Sequence, residues 1–139
     1  MKVELQNKLV TKYSKFFEYL KDYDGPMIPM SFGIECNDGW YFILDSLMNN
    51  IQNYIKWNNK KNINVTQIKE KFGALCFYYD NGDEYIDGMI SLATSISLRT
   101  CEFCGATHNV GHTTGGVYTI CKECFDSDKV NVSEWKPIE

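Results

Sequence analysis

Cys101, Cys104, Cys121 and Cys124 are spaced C-x2-C-x16-C-x2-C, and no other pattern in this 139-residue chain restricts the fold as strongly. Two C-x-x-C pairs at this separation can place four thiolates at the corners of a tetrahedron around one zinc ion. Each pair falls in a segment suited to a tight turn, Cys101-Glu102-Phe103-Cys104-Gly105 and Cys121-Lys122-Glu123-Cys124-Phe125. Gly105 suits a backbone that must bend back just after its second ligand, since glycine accepts positive φ. Four thiolates close the coordination shell and leave no position for water or substrate, so the expected ion is one structural Zn²⁺ per chain. A redox dithiol and disulfide bonds are the other uses of such cysteines. His108 and His112 lie between the pairs and could substitute for a ligand, although four cysteines already complete the set.

The length predicts one compact domain with a small appended zinc module, divided as a 1–99 α+β core, a 100–128 zinc ribbon packed on it and a 129–139 polar tail. The formal charge is −4, and four thiolates with one Zn²⁺ would bring it to near −6. Such a chain is repelled by phosphate backbones unless its cations cluster, and it holds a single arginine, Arg99. No apolar signal region opens the sequence, and no apolar run approaches the roughly 18–20 residues of a membrane span. With zinc-type cysteine spacing, this predicts a reducing, cytoplasmic setting. Aromatic residues make up 14% of the chain, enough to enlarge a small core and leave contact surface outside it.

Hydrophobic periodicity predicts three amphipathic helices. Leu5, Leu9, Tyr13, Phe16, Phe17 and Leu20 mark one over residues 3–21, ended by Asp24-Gly25-Pro26. Ser31 to Cys36 reads as a short strand, and Asp38 as a cap for the next helix. That helix is carried by Trp40, Ile43, Leu44, Leu47, Ile51, Tyr54 and Ile55. Ile63–Lys71 and Ala74–Asp80 read as strands meeting at a Phe72-Gly73 turn, although Val65, Ile68 and Phe72 would also fit a helical stripe. On the hairpin register Ile68 faces Phe77 and Lys69 faces Cys76. Ile68, Leu75, Phe77 and Tyr79 then share the inner face, and Gln67, Lys69, Lys71, Cys76 and Tyr78 the outer one. Asn81-Gly82-Asp83 starts a third helix, with Ile86, Met89, Ile90, Ala93 and Ile96 as its stripe. Val117–Ile120 reads as a strand returning to the metal. The expected fold is therefore α+β, three helices on a short antiparallel β-hairpin, closed by a C-terminal zinc ribbon.

No serine nucleophile elbow, HExxH, Walker loop or dinucleotide glycine fingerprint is present. Cys36 and Cys76 are the spare thiols, and neither has a recognisable histidine partner. Glu35, Asp38, Asp45, Asp80, Asp83, Glu84 and Asp87 gather at turns and helix starts. Such carboxylates can hold a divalent ion, and they are also what helix dipoles favour. Lys69, Lys71 and Tyr78, with Trp40 upstream and Arg99 downstream, form a candidate ligand site, where two ammonium groups beside a ring could cradle a small anion. Lysines flanking a hairpin also serve simply to keep its edge soluble.

Three segments together resemble a widespread family of small uncharacterised phage proteins. They are Glu35-Cys36-Asn37-Asp38-Gly39-Trp40, Lys69-Glu70-Lys71-Phe72-Gly73-Ala74-Leu75 and the Cys101–Gly105 knuckle. The family pattern is a GW-helix, a KEKFG hairpin and a C-terminal zinc knuckle, and the resemblance spans about residues 30–125. In that pattern an arginine follows the hairpin leucine, where this chain has Cys76. The resemblance implies a phage or prophage origin and no particular activity. With the missing catalytic set, it leads to the expectation of a non-catalytic binding protein inside the bacterial cell. Such a protein would occlude a host protein, such as one of defence, or sequester a small anionic signal. A nucleic-acid-associated zinc-ribbon protein and a small enzyme using carboxylates or Cys36 are the alternatives.

Overall fold

A computed structural model describes residues 1–114 and 117–138. The elements run α1 (Val3–Lys12), β1 (Ile34–Glu35), α2 (Tyr41–Trp57), β2 (Asn64–Lys71), β3 (Ala74–Asp80), α3 (Glu84–Ser97), β4 (Val110–Thr114), β5 (Thr119–Cys121), α4 (Lys122–Asp126) and β6 (Glu134–Pro137). Short 3₁₀ turns fill Ser14–Phe16, Glu18–Leu20, Pro29–Phe32 and Asp38–Trp40. Among the described residues these strands make two small sheets, one ordered β1-β2-β3 and the other β5-β4-β6. The architecture is mixed α+β, with a fourth short helix and a second sheet beyond the expected three helices and hairpin.

The hairpin forms on the expected register, with Ile68 opposite Phe77 and Lys69 opposite Cys76. Phe72 (φ 53°) and Gly73 (φ 80°) make the turn, both left-handed, as a two-residue hairpin connection with right-handed strand twist requires. A bulge between Val65 and Gln67 shifts the pairing, which turns Val65 inward although it stands three residues from inward Ile68. Ile68, Leu75 and Phe77 are buried against the helices. β1 is shorter than the expected Ser31–Cys36 strand and adds to β2 in parallel, Ile34 beside Ile68 and Glu35 beside Lys69. The outer edge of β3 is closed by α3: Ser97 Oγ accepts the Leu75 N–H (2.9 Å) and Thr94 Oγ1 donates to the Leu75 carbonyl (3.0 Å). Those side chains satisfy groups that an exposed edge would leave open.

α1 ends at Lys12, well short of residue 21. Tyr13 leaves helical geometry, and its hydroxyl donates to Asp45 on α2 (2.7 Å to Oδ1, 2.8 Å to the carbonyl) while Lys12 pairs with the same carboxylate (2.7 Å). The apolar stripe nevertheless keeps its role, since Leu9, Tyr13, Phe16 and Phe17 are all buried. Asp38 does not cap α2 through its side chain; it accepts the Lys2 N–H at the start of α1 (2.8 Å). Asp83 does cap α3 as expected, accepting from the Tyr85 and Ile86 amides (3.2 Å each).

The expected polar tail is in part a strand. Glu134–Pro137 pairs antiparallel to β4, and the Trp135 indole donates to the Ile120 carbonyl (2.9 Å). Val130, Trp135 and Ile138 pack on the second core, around Cys101, Val110, Ile120, Cys121 and Cys124. One apolar tryptophan in a polar stretch is enough to anchor a strand that composition alone leaves in solvent.

Candidate metal centre and docking groove

The four cysteine Sγ atoms lie within 4.8 Å of one another, and Cys104 Sγ is 3.6 Å from Cys121 Sγ. Ligands about 2.3 Å from a tetrahedrally bound ion stand roughly 3.8 Å apart, so the set fits one ion. Among the described residues no other group of His, Cys, Asp or Glu is arranged to hold a metal. Each knuckle is built by its own backbone. Gly105 (φ 80°) returns its N–H to the Cys101 carbonyl (2.9 Å), and the Cys101 N–H reaches the Ala106 carbonyl (2.8 Å). Cys121 caps α4, its sulfur accepting the Cys124 N–H (3.4 Å). Burial pushes the Cys121 thiol up, and the Cys124 thiol up to about 11. A bound cation is what would hold them as thiolates.

The same knuckle is where the core docks, and the three resemblance segments meet there. The Gly39 N–H donates to the Glu102 carbonyl (2.7 Å), and a Cβ on Gly39 would run into the Cys101 and Glu102 carbonyls and the Gly105 amide. Trp40, wholly buried, donates its indole N–H to the Thr100 carbonyl (2.9 Å). Asn37 donates its backbone and side-chain N–H groups to Glu102 Oε1 (2.9 Å each). Glu102 is 2% exposed, and burial raises its carboxyl above the usual range. From the hairpin, the Gly73 carbonyl accepts from Thr119 Oγ1 (2.7 Å), and the Thr119 carbonyl accepts the Glu102 N–H (2.9 Å). Backbone approach and buried hydrogen bonds therefore account for Asn37, Gly39, Trp40 and Gly73 without a ligand.

The candidate anion site is only partly assembled. Lys69 Nζ sits 5.8 Å from the Tyr78 ring centre, on the expected face, while Lys71 lies over Phe72 (5.6 Å). Glu35 stands beside Lys69 on the neighbouring strand, and Gln67 contacts its carboxylate (3.4 Å). Trp40, having no exposed surface, cannot touch a ligand, and Arg99 is an exposed residue just past α3. Cys36 is buried, and desolvation with the Glu102 charge pushes its thiol up to about 12, the reverse of an activated nucleophile. Several carboxylates are held in structural pairs, Asp38 with Lys2, Asp45 with Lys12 and Asp83 with Lys60.

A large concavity lies elsewhere, between α2 and α3, with a volume of about 1010 Å³. Its walls include Phe42 and Leu47 from α2 and Tyr85, Leu92 and Ile96 from α3, and Cys104 and Gly105 of the knuckle close one end. Phe42 is 76% exposed, Leu92 63% and Tyr85 62%, so three large apolar side chains of its lining meet water. Tyr85 is held by stacking on Tyr54 (4.5 Å between centres, 14° between planes). Sequence reasoning missed this groove because Phe42, Tyr85 and Leu92 fall outside the buried stripes. Large apolar residues at positions the stripe assigns to solvent were the available signal.

No protein-family model, curated protein or solved structure matches this chain. Among the described residues no helix is long and apolar enough to cross a membrane.

Proposed function

We propose that this chain is a non-catalytic binding protein of phage type whose α2–α3 groove captures a host protein inside the bacterial cell. The observation that carries the reading is the exposure of Phe42, Leu92 and Ile96 along one apolar trough. Burying such a surface against a partner is worth roughly 25 cal/mol per Å² before the costs of association. The ion in the cysteine set is Zn²⁺: four thiolates match its borderline-soft, tetrahedral preference and close its shell. Its role is structural. It fixes the knuckle against which Gly39 and Trp40 pack, and so holds one end of the groove.

Protein capture is favoured over sequestration of a small anion because Glu35 faces Lys69 on the hairpin and no cation lines the groove. The enzyme alternative has little support, since Cys36 is buried and Asp38, Asp45 and Asp83 are each engaged by a lysine. A nucleic-acid role is opposed by the net charge, and Lys122 is drawn into a pair with Asp126. The phage assignment rests on the sequence resemblance.

The test is native mass spectrometry of tagged protein drawn gently from bacterial lysate, wild type against Phe42→Ser. One Zn²⁺ per chain and a host polypeptide retained by wild type but lost from Phe42→Ser are expected. A retained mass of a few hundred daltons, unaffected by the substitution, would replace protein capture by small-molecule sequestration.

A further inference from the structure

We infer that the occupant of the groove is a cationic amphipathic α-helix of about three turns, presented by the partner protein. The inference rests on the groove being the functional surface. Three observations give the occupant its chemistry. First, the lining positions of α3 recur at Tyr85, Gly88, Leu92 and Ile96, three or four residues apart along one face, across from Phe42, Ile43, Ser46, Leu47 and Asn50 of α2. Two helices side by side make a straight trough, and a third helix fills such a trough with residues at the same spacing. From Glu84 to Ile96 the wall is about 18 Å long at 1.5 Å per residue, the length of a little over three turns.

Second, the charged side chains lining the trough are Asp38 and Glu84, with no Lys, Arg or His among the lining residues. Asp38 is shared with exposed Lys2, whereas Glu84 forms no ion pair among the described residues. On a chain of net charge −4, a helix whose apolar stripe is flanked by lysine or arginine is complementary, and an acidic one is repelled. A second copy of this chain, meeting the groove with its own groove, would bring no cation to Glu84 from its lining.

Third, Gly88 stands in the middle of α3, where glycine is the poorest helix former after proline. Nothing lies within 4 Å of where its Cβ would be, so neither core packing nor backbone crowding requires it. The missing side chain leaves a flat place in the trough wall, where a bulky residue of the incoming helix can seat.

The test uses the full chain loaded with zinc and three synthetic 16-residue peptides. One is a leucine/lysine amphipathic helix, one the same helix with glutamate for lysine, and one the scrambled leucine/lysine composition. Binding is read by fluorescence anisotropy at about 0.15 M salt, near an 8 Å screening length. The leucine/lysine helix is expected to bind at least tenfold tighter than either control. Gly88→Leu should weaken it at least tenfold while the melting temperature stays level or rises, and Glu84→Lys should weaken it several-fold. Equal binding of the glutamate helix overturns the cationic requirement, and equal binding of the scrambled peptide overturns the helix. A wild-type dimer that Gly88→Leu dissociates makes a second copy the occupant and overturns the inference. If all peptides fail while a Phe42-dependent host polypeptide is captured, the occupant is wrong and the groove stands; if Phe42→Ser changes neither, the groove falls too.

Discussion

Replacing Trp40 by Phe separates a structural from a ligand-binding role for the Gly39-Trp40 segment. The indole is wholly buried and its N–H donates to the Thr100 carbonyl at 2.9 Å, at the junction of core and knuckle. Phe keeps an aromatic ring but removes the donor. A buried carbonyl left without a partner costs about 1–3 kcal/mol. The smaller ring also leaves a void of roughly 40 Å³, worth on the order of 1 kcal/mol at about 24 cal/mol per Å³. Trp40→Phe should therefore lose about 2–4 kcal/mol, a large share of the roughly 5–15 kcal/mol that holds a typical domain. In melting temperature that is about 5–15 °C for a chain near this size. Urea unfolding in zinc-replete buffer, followed by far-UV circular dichroism and extrapolated linearly, measures it. A loss under about 1 kcal/mol, with capture of a partner or ligand abolished, would refute the reasoning and return Trp40 to the binding surface.

Cys104→Ala should lower the melting temperature of the whole chain, α-helical signal included, because Gly39 and Trp40 bond directly to the knuckle; core and module melting separately would show the knuckle to be an independent appendage. Asp83→Asn tests pH linkage. Asp83 is held down to about 2, first by the Lys60 ammonium and then by backbone amides of the α3 cap, against an ordinary value near 4. The folded state thus binds fewer protons between those values, so the carboxylate's stabilisation is complete at neutral pH and is lost as pH falls from about 4 toward 2. The stability gap between wild type and Asp83→Asn should close over that window in paired denaturant titrations; a gap that is constant with pH would refute the linkage. Lys69→Glu combined with Lys71→Glu should leave polypeptide capture unchanged, since both side chains lie on the outer hairpin face, and should lower the melting temperature only slightly through the new carboxylate beside Glu35; lost capture would move the site to that face.

Where a pattern is local or strictly periodic, this fold was legible in the sequence. The strand period of two on either side of Phe72-Gly73 fixed the hairpin register, because a one-residue slip would bury Lys69 and Lys71 in place of Ile68. The cysteine spacing specified a four-sulfur cluster, because two tight turns can each deliver two thiols to one point. Asp83 announced the start of α3, since its carboxylate acts on amides two and three residues away. Contacts distant along the chain decided the rest. Tyr13 left its helix for Asp45, 32 residues on, and Trp135 turned a polar tail into a strand by reaching Ile120. Asn37, Gly39 and Trp40 serve Thr100 and Glu102, 60 or more residues away, so Trp40, a ligand candidate in the sequence, sits in a packing joint. The groove is the clearest instance. Periodicity sorts residues into a buried face and a solvent face one helix at a time. Whether Phe42, Leu92 and Ile96 line a shared trough depends on how α2 and α3 pack together, and tertiary packing alone sets that.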